Sequence, residues 1–112
     1  MLTIGSNNKI TLTRGDTAIL KIVATDKEGE VYTPGAGDVI RFAMKKNYSD
    51  ENVLVRAEAV IDGSDITITI LPEHTKSLPY GVYRYDVQLT TGDGVVDTFI
   101  DRAAIELTEE VD

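Results

Sequence analysis

Residues 65–70 read Asp-Ile-Thr-Ile-Thr-Ile, an alternation of apolar and polar β-branched side chains. Successive side chains of a strand point to opposite faces, so Ile66, Ile68 and Ile70 share one face and Thr67 and Thr69 the other. A helix would scatter the same isoleucines around its circumference, so the segment specifies a half-buried strand. The pattern recurs. From Asp38 to Lys46, Ile40, Phe42 and Met44 face one way and Arg41 and Lys45 the other. From Val53 to Ile61, Val53, Val55, Ala57 and Ala59 form an apolar row. Both read as strands with one face wet, which is the signature of antiparallel sheets.

Three further strands follow from the same reasoning. Lys9 to Thr13 is a short candidate. Thr17 to Thr25 is apolar on both faces and reads as a central strand. The last, from about Val95 to Leu107, is too long for one straight ladder and is expected to carry a bulge near Asp101–Arg102. Turn chemistry separates the runs: Asp26 to Glu30 around Gly29, the Thr33–Asp38 segment, Asp62-Gly63 and Asp93-Gly94. The two Asp-Gly pairs predict tight type I′ hairpins, because that turn needs positive φ at its central residues. Helical character is confined to one turn near Pro72–Ser77, with Pro72 suited to a first helical position and Pro79 stopping anything longer. About seven short antiparallel strands without a sustained 3.6-residue period predict an all-β sandwich in a single domain, residues 1–112.

The chain has seven aromatic residues, and three of them, Tyr80, Tyr83 and Tyr85, crowd the start of a further strand, read in the stretch Tyr80–Thr90. Period two puts Tyr83, Tyr85, Val87 and Leu89 on one face and Val82, Arg84, Asp86 and Gln88 on the other. In immunoglobulin-like sandwiches the sixth strand opens with a tyrosine whose hydroxyl bonds backbone a few residues upstream. Tyr83 fits that role, and Tyr85 stands where the second cysteine of such domains would be. Tyr83, Tyr85, Phe42 and Ile68 are therefore expected in the core, and Tyr80, just outside the strand, at the surface.

Composition excludes several functions. Nineteen acidic against eleven basic residues give a net charge of −8, and no Lys/Arg run offers a stripe for a phosphate backbone, so neither nucleic acid nor an anionic membrane is an expected partner. Cysteine is absent, which rules out disulfides and thiolate metal sites. The first residues have no basic, then apolar, leader pattern, and no run approaches about 18 apolar residues, so a soluble chain without a secretion signal is expected.

Two stretches, Lys9 to Ile22 and Ile66 to Ile100, resemble the immunoglobulin-like domain of tail and baseplate-associated structural proteins from phages and prophages of Gram-positive bacteria. The matching motifs are Arg14-Gly15-Asp16-Thr17 before an early strand, Pro72-Glu73-His74-Thr75 in a helical turn, and Gly81-Val82-Tyr83-Arg84-Tyr85-Asp86 in a strand. The resemblance implies a virion component made in the bacterial cytoplasm, contacting other particle proteins or copies of itself. It implies no catalytic residue and no cofactor. The alternative is a carbohydrate- or receptor-binding adhesion domain, which the same fold supports through its loops.

Candidate interaction residues are Tyr80, Arg14 and Asp16. Arg14-Gly15-Asp16 is also the tripeptide that integrins read, but a turn before a strand accounts for it. The ending Glu109-Glu110-Val111-Asp112 matches a chaperone tail with nothing else chaperone-like beside it, and reads as an acidic terminus. Asp26, Glu28 and Glu30, or Asp62 and Asp65, could offer oxygen ligands to calcium, without the spacing of the twelve-residue calcium loop. His74 has no second histidine or cysteine with which to hold a metal, and no nucleophile-elbow pattern or phosphate loop is present. A non-enzymatic role is expected.

Overall fold

The computed structural model describes residues 2–4, 9–22 and 30–109, with backbone alone for 2–4, 99, 101 and 102. The architecture is all-β. Among these residues run nine strands and one helical turn: β1 (Leu2–Ile4), β2 (Ile10–Thr13), β3 (Ala18–Ile22), β4 (Val39–Lys45), β5 (Val55–Glu58), β6 (Val60–Asp62), β7 (Asp65–Ile70), α1 (Pro72–Thr75), β8 (Gly81–Thr90) and β9 (Val96–Thr108). A six-stranded sheet has the order β1-β2-β9-β8-β4-β5, and a three-stranded sheet the order β3-β7-β6.

The sheets pack through the apolar rows of the alternating strands. Ile66, Ile68 and Ile70 of β7 are buried with Ala18 and Leu20 of β3, against Ile40, Phe42 and Met44 of β4, Tyr83, Tyr85 and Val87 of β8, and Ile105 and Leu107 of β9. Phe42 and Tyr85 stack across the sheet, ring centroids 5.3 Å apart and planes at 24°. Offset aromatic packing of this kind adds about 0.5–1.5 kcal/mol beyond the area buried.

Four expectations change. The Thr17–Thr25 segment is not a doubly buried central strand. Its described part, β3, is an edge strand that alternates, with Ala18 and Leu20 buried, Ile19 56% exposed and Lys21 in solvent. Lys21 is the kind of charge an edge tolerates, and the doubly partnered strand of this sheet is β7. The Val53–Ile61 run is not one strand. It breaks at Ala59, β5 pairing with β4 in the large sheet and β6 with β7 in the small one. Ala59 N–H still donates to the Ile40 carbonyl at 2.8 Å, so the crossing costs no backbone hydrogen bond there. Pairing is not wholly antiparallel, since β2 runs parallel to β9 with Ile10 opposite Ile105. No hairpin joins those two segments, so nothing local fixes their relative direction.

The fourth change concerns the turns. Both hairpins form, but neither uses Asp-Gly as its central pair. Asp62 pairs with Asp65, which leaves Gly63 (φ +62°) and Ser64 as the loop. Thr91 N–H donates to Val95 O at 2.8 Å and Gly94 N–H to Thr91 O at 2.9 Å, with Gly94 at φ +91°. That is a three-residue loop ending in a left-handed glycine. The long strand is irregular in the region expected: Tyr85 pairs with Ala103, Val87 with Ile100 and Gln88 with Thr98, so extra residues of β9 lie between 98 and 103. The turn around Gly29 falls on residues outside those described, apart from Glu30.

Burial pushes the Tyr85 phenol up to about 12 from 10.0. The fold therefore holds a proton that the unfolded chain releases above pH 10. Stability is complete below pH 10 and declines as pH rises toward 12. Denaturant unfolding of the wild type and Tyr85→Phe across pH 9–12 should show a shallower decline in the variant, by about 2 kcal/mol at the alkaline end. Parallel curves would place the phenol in water.

Candidate functional site

Two chain crossings between the sheets lie at the same end of the molecule. The turn at residues 14–17 carries the chain from β2 in the large sheet to β3 in the small one, and residues 71–80 carry it back from β7 to β8. Arg14, Tyr80 and Tyr83, far apart in sequence, all fall here.

The first crossing turns sharply because Gly15 adopts φ +85°, a conformation that side chains rarely take. Asp16 N–H donates to the Thr13 carbonyl at 3.1 Å, and Arg14 N–H to the Thr108 carbonyl of β9 at 3.1 Å. Gly15 N–H donates to Thr75 Oγ1 at 3.0 Å, and Thr75 is wholly buried. The threonine of the helical turn thus holds the glycine of the other crossing. α1 itself is opened by Pro72 and closed at its start by His74, whose Nδ1 accepts the Leu71 N–H at 2.9 Å. The imidazole therefore carries its proton on Nε2 in this arrangement.

The Arg14 side chain spans the second crossing. Nη1 donates to the Leu78 carbonyl at 3.2 Å, Nη2 donates to the Tyr80 hydroxyl at 3.0 Å, and the guanidinium lies 4.1 Å from the Tyr80 ring centroid. Further along the same segment, the Tyr83 hydroxyl donates to the Pro79 carbonyl at 2.6 Å. Tyr83 is 1% exposed, and Lys46 Nζ lies 4.7 Å from its ring centroid. Burial raises the Tyr83 phenol above its ordinary 10.0, and the Arg14 charge opposes that rise.

Of the residues expected to interact with partners, Arg14 and Tyr80 meet each other. Tyr80 remains 43% exposed, but its ring and hydroxyl are both engaged by Arg14. Asp16 is exposed at the turn. Arg14 is only partly exposed and is directed into the corner, the opposite of a displayed tripeptide tip. Tyr83, Tyr85, Phe42 and Ile68 are buried. Among the described residues no three His, Cys, Asp or Glu side chains cluster as they would to hold a metal.

A second cluster, at the other end of the large sheet, was not foreseen from the sequence. Asp38 accepts from the Tyr32 hydroxyl at 2.5 Å, from Gly35 N–H at 2.9 Å and from Gly92 N–H at 3.3 Å. The Tyr32 bond, then the Gly35 bond, hold its carboxyl below the ordinary value, and the same contact raises the Tyr32 phenol. This carboxylate ties the 33–38 loop to the β8–β9 turn. The one signal in the sequence is an aspartate closing a Pro-Gly-Ala-Gly loop, a pattern that reads as a turn without a distant partner.

The corner yields a direct prediction. Tyr83→Phe removes the donor and leaves the Pro79 carbonyl beside an apolar ring edge, and it should cost on the order of 1 kcal/mol or more in equilibrium unfolding. A change within about 0.3 kcal/mol would mean that the hydroxyl exchanges this bond for water at no cost.

No model of a known protein family matches this chain, and no curated protein matches it either.

Proposed function

We propose that the chain is an immunoglobulin-like sandwich and a structural module of a phage or prophage tail or baseplate, acting through protein–protein contacts and not through catalysis. One observation carries this reading. The three motifs of the resemblance, Arg14–Thr17, Pro72–Thr75 and Gly81–Asp86, are joined by the Gly15–Thr75 bond and by Arg14's contacts with Leu78 and Tyr80, just before the third motif. They are parts of one corner, so their joint occurrence reflects one structural device.

Two further features support it. The strand orders β1-β2-β9-β8-β4-β5 and β3-β7-β6 suit a sandwich of this type, with β8 as the strand that opens on the corner tyrosine. Upstream backbone bonding by Tyr83 is the feature such domains use at that point. Residues that build a fold in this way carry no chemistry of their own. Contacts are left to the sheet faces and to the strands at the sheet edges among the described residues, β1, β3, β5 and β6, whose backbone groups can extend a neighbouring sheet. An adhesion domain that stacks sugars on Tyr80 is the weaker reading, because Arg14 already occupies that ring.

Particle composition tests the proposal. Induce the prophage that encodes the chain, purify the particles on a density gradient and quantify the chain by mass spectrometry. It should be present in stoichiometric amount. Abundance in the lysate together with absence from the particles would contradict the reading.

A further inference from the structure

β5 lies at one edge of the large sheet and reads Val55-Arg56-Ala57-Glu58. Alternation divides its side chains: Val55 is buried and Ala57 half-buried, while Arg56 and Glu58 are exposed on the outward face. The backbone divides in the same way. Ala59 N–H donates to the Ile40 carbonyl and Leu54 N–H to the Met44 carbonyl, each at 2.8 Å, so the even-numbered carbonyls of β4 point at β5. Register sets Ala57 opposite Phe42, which makes Ala57 the residue that turns its N–H and C=O toward β4. Arg56 and Glu58 therefore turn theirs away from the sheet, and among the described residues no strand lies on that side.

Such an edge is a template for another strand, and this one is its own complement. Two copies of β5 running antiparallel about a two-fold axis at Ala57 set Arg56 of each against Glu58 of the other. Those residues then exchange both backbone hydrogen bonds, and the two Ala57 residues form the closer, non-hydrogen-bonded pair between them, where a small side chain fits best. Moving the axis one residue either way sets Arg56 on Arg56 or Glu58 on Glu58, so charge selects the register. Within its own sheet Glu58 faces Arg41, and Arg56 faces Ala43, which offers it no charge. Across the joined sheets the outward row would read Arg41, Glu58, Arg56, Ala43, with opposite charges alternating. The edges of the small sheet lack this property: β3 carries only Lys21 and β6 only Asp62, so neither can pair opposite charges with itself. Lysine and proline are the ordinary devices against edge pairing, and β5 has neither.

We propose that β5 pairs with β5 of a second copy of this chain, antiparallel and centred on Ala57, so that the two large sheets become one. The inference deepens the docking reading above and rests on it for the use of a sheet edge. Backbone hydrogen bonds supply the attraction, and the exposed Arg56–Glu58 pairs, individually weak, fix the partner and the register. A two-fold pairing uses the same patch on both copies, so it closes at two and does not run on into a fibre. A strand this short makes a weak contact in dilute solution, and a much firmer one where copies are held close together, as they would be in a particle.

The test is sedimentation equilibrium of the purified chain from ~10 μM to ~1 mM, where a weak contact is half-formed, with amide chemical shifts followed over the same dilution series. The chain should pass from monomer to dimer, with concentration-dependent shifts centred on Arg56 to Glu58. Arg56→Glu should weaken the dimer by about tenfold or more, because it sets two carboxylates against each other at both pairs. Lys21→Glu makes the same charge change on the β3 edge and, at about 0.15 M salt, should weaken it less than about threefold. Glu58→Arg should also dissociate, and mixing it with Arg56→Glu should restore association to within about threefold of the wild type, since every pair between the two variants is again of opposite sign. All three positions are exposed, and the variants are compared once their thermal midpoints match the wild type. A chain that stays monomeric to about 1 mM leaves the edge to a strand of some other protein and overturns the proposal. So would equal losses in Arg56→Glu and Lys21→Glu, shifts centred on another edge, or a mixture that does not associate. Particle composition is read separately, so this contact and the particle reading can each fail alone.

Discussion

The hydrogen bond from Gly15 N–H to the buried Thr75 hydroxyl is the contact on which the rest of the structure depends. A two-sheet protein must take its chain across the gap between sheets, and each crossing strips a stretch of backbone of its ladder partners. In this chain one crossing supplies the acceptor for the other. Arg14 repeats the arrangement at longer range by donating to the Leu78 carbonyl and covering Tyr80, and the Tyr83–Pro79 bond fixes the same segment from its far side. Once the two crossings are held together, the alternating strands that follow can present their apolar rows to one core.

Period two makes the strand faces legible. Ile66, Ile68, Phe42, Tyr83 and Tyr85 can be placed inside from the pattern alone, because a strand has only two faces and one of them is polar or charged. Pairing is less legible. A short apolar run such as Ala18–Ile22 looks the same at an edge as at a centre, and Lys21 is the one residue that tells them apart. The break at Ala59 is hidden because alternation continues through it, although the strand changes sheets there. Glycine places both hairpins correctly, but its position within each turn depends on strand register, which the dipeptide does not encode.

The corner is half legible. Each motif can be seen along the chain, and Tyr83 can be given its upstream acceptor, but nothing local indicates that Thr75 meets Gly15 or that Arg14 meets Tyr80. Those contacts span 60 and 66 residues. The charged outward face of β4, β5 and β8 is invisible for a related reason. Arg41, Lys45, Arg56 and Arg84 never form a run in sequence, and strand pairing alone gathers them, with Glu58 and Asp86, onto one surface.

A double-mutant cycle on the two crossings reads their interdependence without intermediaries. Arg14→Met keeps the alkyl stem but removes the guanidinium, and Thr75→Val keeps the shape but removes the hydroxyl. If the crossings form one unit, their costs in equilibrium unfolding should be coupled by about 0.5–1 kcal/mol or more. Costs that add to within about 0.3 kcal/mol would mean that each crossing stands alone and that the corner is not a single device.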